Sequence, residues 1–170
     1  MSRFVVLCAL GVLLFGCDAL KDAAVEKVES GKEQMVEATA QEAEMNLRAI
    51  GNGAQTYFQA DHPSKDGLSS SSMVFPKSNP YVCSEGGDPK VRVSPTETNW
   101  HAEPWSSLRF SMTAPHAFMF CYESSRDQKK FAAWAEAGDR AYCITGVSDG
   151  GQPRLSPIRD LGAEGKCILP

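Results

Sequence analysis

Apolar residues change their spacing from one part of this chain to the next. Between Glu44 and His62, Leu47, Ile50, Ala54 and Tyr57 recur at helical intervals with Phe58 beside them, while Arg48, Asn52, Gln55 and Gln59 turn the other way. That spacing predicts a helix with one aromatic-rich stripe, ended at His62-Pro63 because a residue before proline avoids the α region. Gly51 and Gly53 each cost about 1 kcal/mol against alanine inside such a helix, so they are expected to let it sit tight against a sheet.

The period falls to two after Trp100. Phe118, Phe120 and Tyr122 alternate with Ala117, Met119 and Cys121, which predicts a central strand apolar on both faces. Phe131 to Ala135 reads as a second strand, Ala137-Gly138-Asp139-Arg140 as a tight hairpin, and Tyr142 to Val147 as a third strand. Arg154 to Ile158 adds a short edge strand blunted by Pro153 and Pro157. The expected fold is α+β, a long N-terminal helix packed on an antiparallel sheet of three to four strands.

Two stretches follow neither period. Residues 63–99 carry Ser69 to Ser72 and frequent Pro, Gly and Asn, so they read as a long loop, with one short strand at Val91 to Val93. Loops of this length are tied down or functional, and Cys83 is a candidate tie. Residues 17–43 are rich in Ala, Glu, Lys and Gln, with a narrow seam of Leu20, Ala24, Val28, Met35 and Ala38. They are expected to form a solvated helical stalk ahead of a globular domain at 44–170.

The N-terminus changes the setting. Arg3 precedes the apolar run Phe4 to Phe15, shorter than the roughly 20 residues a membrane span needs but suited to a signal-peptide core. Leu14-Phe15-Gly16-Cys17 then resembles the lipobox of bacterial lipoproteins. That resemblance implies a signal peptide at 1–16, acylation of the Cys17 sulfur and cleavage just before Cys17. Cys8 would leave with the signal, and Asp18 resembles an inner-membrane retention residue. Several acyl chains anchor a protein to a membrane far more firmly than one.

Charge and chemistry narrow the function. A formal charge of −4 leaves no basic stripe for phosphates and argues against nucleic acid as a partner. The six cysteines fit an exported, oxidising compartment. No Cys-x-x-Cys, Walker or dinucleotide motif occurs in the chain, and no metal, cofactor or catalytic residue is expected. His62, His101 and His116 are spread apart and read as surface or interface residues. Trp100, Trp105 and Trp134 read as core or rim of the helix–sheet interface, a ligand-stacking role being the sharper alternative.

Taken together, Asn46 to Ile50, Gln55 to Phe58, Pro104 to Phe110, Pro115 to Phe120 and Phe131 to Ala135 resemble type IV pilin-like proteins over residues 44–147. The resemblance implies a long helix on an antiparallel sheet. The N-terminal end differs from that family, since a lipobox and charged stalk stand where a prepilin leader and apolar helix would be. Cys83, Cys121, Cys143 and Cys167 allow three pairings. Cys121 and Cys143 lie on strands flanking the Phe131 strand, so a bridge between them would skip a neighbour at about 10 Å. This favours Cys83–Cys121 and Cys143–Cys167, the second closing a C-terminal loop as is common in pilins.

The expected protein is a non-enzymatic, membrane-anchored lipoprotein facing the periplasm or cell surface, with a structural or protein-interaction role. Its partners would be the membrane and pilus or secretion-system proteins. The competing expectation is an envelope ligand-binding module using the 63–99 loop.

Overall fold

Five apolar positions draw one side of helix α1, residues 40–59, onto the sheet: Ala43, Leu47, Ile50, Ala54 and Phe58, each at most 1% exposed. In this computed structural model the described residues are 40–62, 73–149, 151–163 and 165–170. Glu42–Pro170 form one compact unit, and of the preceding Met1–Gln41 only residues 40 and 41 are described, both helical. The expected signal peptide, Cys17 and nearly all of the 17–43 stalk lie outside the described residues.

The sheet is antiparallel and has six strands, in the order β1-β2-β3-β4-β5 with β6 also on β4. Its body is the meander β2 (Met119–Ser124), β3 (Lys130–Ala137) and β4 (Arg140–Val147). These are the three strands that alternation predicts, joined by the expected hairpin at Gly138-Asp139. The other strands are two residues each: β1 (Val82–Cys83), β5 (Arg154–Leu155) and β6 (Arg159–Asp160). Such short pieces bring the count above the expected three or four. The expected strand at 91–93 is only a bridge between Val93 and His116.

β5 and β6 are halves of one interrupted edge. Leu155 pairs with Gly146 and Arg159 with Cys143, so Ser156, Pro157 and Ile158 stand opposite only Ile144 and Thr145. This is a β-bulge, with Pro157 placed where a ladder donor is dispensable.

The two helix glycines have different jobs. A Cβ on Gly51 would meet the tip of Ile144 at 2.9 Å, so this position faces the sheet. A Cβ on Gly53 would run into the backbone carbonyl of Leu108. Gly53 therefore abuts α2 (Trp105–Leu108), a single turn ended by Arg109 in the left-handed region, and not the sheet as expected. Along the stripe, Phe58 continues the buried line and Tyr57 does not. Tyr57 instead stacks on His62 at 3.7 Å, and His62 Nε2 donates to the Tyr57 carbonyl at 2.7 Å, capping the helix end.

Two ring clusters fill the space between helix and sheet. Phe58, Phe75 and Phe131 follow one another at 4.9 Å, and Tyr122 stacks on Phe131 at 5.4 Å. Trp100, Trp105, Phe110, His116 and Phe120 form the second, with centroids 5.5 to 6.0 Å apart. Burial pushes the Tyr122 hydroxyl well above the usual tyrosine pKa, with the nearby Tyr57 adding to the rise.

Candidate functional site

The segment 73–99 is not a free loop. Phe75, Ser84, Gly87 and Val93 donate backbone N–H groups to Gln128, Phe120, Ala117 and His116. Ser78 and Ser124 exchange backbone and hydroxyl hydrogen bonds, and the Gln128 amide donates to the Phe75 carbonyl at 2.7 Å. The segment thus acts as a strap that spends its backbone groups on the sheet. Residues 63–72 of the expected loop lie outside the described residues.

The bridges fasten two pieces of chain to the sheet face turned away from α1. Cys83 and Cys121 are directly opposed across β1 and β2 and are joined as a disulfide. Cys143 on β4 is joined to Cys167 in the C-terminal tail. These are the pairs that strand order favours. In the row across the strands, Trp134 stands between Cys121 and Cys143. Trp134 is therefore on the outer face, not at the helix–sheet interface where it was expected. Trp100 and Trp105 are buried beneath α1, with the Trp100 indole donating to the Pro95 carbonyl at 2.7 Å.

The structure keeps the three histidines apart. His62 caps α1, His101 is exposed, and His116 is 0% exposed within the second ring cluster, contrary to its reading as a surface residue. Neither His116 ring nitrogen has a hydrogen-bond partner. Two unpartnered polar atoms in an apolar box cost stability, of order 1–3 kcal/mol for such a group. His116→Phe keeps ring contacts and removes both atoms. It is expected to raise stability by about 1 kcal/mol in urea unfolding. A loss of that size would mean the imidazole has a partner after all.

Among the described residues no three His, Cys, Asp or Glu side chains are grouped as for a metal. Asp61 is exposed, and Glu103 accepts the Ser106 hydroxyl at 2.7 Å. In the β2–β3 turn the Ser125 hydroxyl, followed by the Lys129 backbone N–H, holds the Asp127 carboxyl below its usual range, a local turn contact. As disulfides, the four cysteines present no thiol nucleophile.

Two of the clefts among the described residues lie beside α1. One, of about 370 Å³, lies over the β-bulge, with Ile144, Leu155 and Ile158 below and Glu44, Arg48 and Asn52 at its rim. Its rim charges already pair, Arg48 with Glu44 at 3.1 Å. The other, of about 450 Å³, lies between the end of α1 and Gly151–Pro153, against Phe58 and Met73. The outer sheet face carries a third feature, the exposed Tyr81 set edge-on to Trp134 at 5.7 Å. Sequence reasoning missed this pair. Its signal was present in β3, where Trp134 falls out of phase with Phe131, Ala133 and Ala135.

Comparison with models of known families, with curated proteins and with solved structures found no match to this chain.

Proposed function

We propose that this chain is a bacterial lipoprotein, anchored through lipid on Cys17, that presents a pilin-like domain for a structural or protein-interaction role at the cell envelope. The observation that carries the reading is Leu14-Phe15-Gly16-Cys17 at the end of an apolar run too short to span a bilayer. Two disulfides in the domain support an oxidising, exported location. A helix on an antiparallel meander, with a C-terminal disulfide, supports the pilin-like comparison. On this reading the domain faces the periplasm or cell surface, and pilus or secretion-system proteins are its partners.

The anchor is tested by labelling cells with palmitate. Wild-type chain should take up label, and Cys17→Ala should take up none and keep its signal peptide longer. Undiminished label on the variant would end the lipoprotein reading.

A further inference from the structure

The outer face of the sheet sets an aromatic pair between two carboxylates that form no ion pair among the described residues. Along β3, Lys130, Ala132, Trp134 and Glu136 share this face, since side chains alternate. Register places Cys121 beside Trp134 and Glu123 beside Ala132. Tyr81, just before β1, is 57% exposed and meets the half-buried Trp134 edge-on. Glu123 is therefore one diagonal step from Trp134, and Glu136 lies two residues along the same strand.

The ion pairs among the described residues are Arg48–Glu44, Arg92–Glu42 and Arg154–Asp149, none of which uses Glu123 or Glu136. Lys130, on the same face, turns its ammonium to the Pro170 carbonyl at 2.7 Å. Aromatic faces attract cations through their quadrupole, and a carboxylate takes the paired N–H groups of a guanidinium in plane. Arginine satisfies both at once, being planar and weakly hydrated, whereas lysine is a point charge. The Cys83–Cys121 disulfide fixes the strand beside Tyr81 to the strand beside Trp134, so little order is lost on binding.

We propose that this face docks an arginine-bearing segment of a partner protein, with the guanidinium on Tyr81 and Trp134 and its N–H groups on Glu123 or Glu136. This rests on the interaction role above but not on the lipid.

The test uses the full chain in a non-ionic detergent and a short labelled peptide alternating arginine and serine, followed by fluorescence anisotropy. The control peptide carries citrulline in place of arginine. The arginine peptide should bind about tenfold more tightly than the citrulline peptide, and less tightly as salt rises. Glu123→Gln with Glu136→Gln, which keeps side-chain shape, should weaken binding about tenfold, and Tyr81→Ala about threefold. Equal binding of both peptides, or of parent and double variant, would overturn the proposal. So would a dimer in sedimentation that the double variant dissolves, because the occupant would then be a second copy. The Cys17→Ala chain should bind the peptide like the parent, so failure of the anchor and failure of the docking face are read separately.

Discussion

Gly53→Ala is expected to destabilise the domain by about 2–3 kcal/mol, although alanine is the better helix former by about 1 kcal/mol. The added methyl would run into the Leu108 carbonyl oxygen, and that oxygen is backbone at the end of α2. It cannot rotate away, and the αL residue that follows, Arg109, already donates its N–H back to Ser106 and Trp105. Either α1 lifts from its stripe or α2 shifts with Trp105 and Leu108, which are 2% and 1% exposed. Both routes overpack a filled interior. Gly51→Ala is the control, because its methyl would meet only flexible side-chain tips, Ile144 at 2.9 Å and Leu155 at 3.4 Å. Helix propensity offsets those contacts, and its stability should stay within about 1 kcal/mol of the parent. In thermal unfolding the gap between the two variants should be roughly 6–12 °C. Equal melting temperatures would remove the close approach of α1 and α2 from the account of the fold.

That contact shows why some of the fold could be read from sequence and some could not. Leu47, Ile50 and Ala54 recur over several turns against Arg48 and Asn52, so the helix and its face follow from periodicity. The partner of Gly53 does not, because α2 is four residues, Trp105–Leu108, and one turn has no period to detect. The same limit hides the edge strands. Arg159-Asp160 is polar and exposed, and Val82-Cys83 is placed by its disulfide and strap rather than by its own pattern. The meander was readable because β2, β3 and β4 run six to eight residues each. The assignment of its faces was harder. Cysteines and Trp134 make the outer face look apolar, which disguises which side meets the helix. His116 misled for the opposite reason, a polar side chain buried by aromatic neighbours that sequence spacing does not bring together. The docking face needs strand order, register and burial at once, so it emerges only in three dimensions.

The largest losses are expected from removing the disulfides, and the two should not behave alike. Cys83–Cys121 closes 38 residues and Cys143–Cys167 closes 24, which the chain-entropy model makes nearly equal, roughly 3–4 kcal/mol each. That model assumes the native state stays ordered when the bond is removed. For Cys83–Cys121 it does, because the strap keeps its backbone hydrogen bonds to β2 and its buried Phe75. The paired change Cys83→Ala with Cys121→Ala should therefore show the full loss in urea unfolding, with the strap still protected in hydrogen exchange. The C-terminal tail has less to hold it: Leu161 donates to Ala141, Lys130 reaches Pro170, and Ile168 is 70% exposed. Without Cys143–Cys167 the tail should fray, recovering entropy in the native state and so reducing the global loss to about half. Alanine is the suitable replacement at Cys121 and Cys143, both 0% exposed, because a serine hydroxyl there would be buried. Hydrogen exchange should localise the second effect to residues after Leu161 and beside Trp134. A larger global loss from the tail bridge than from the strap bridge would sink this ranking. Free thiols at all four positions in the wild-type chain would sink the exported, oxidising setting with it.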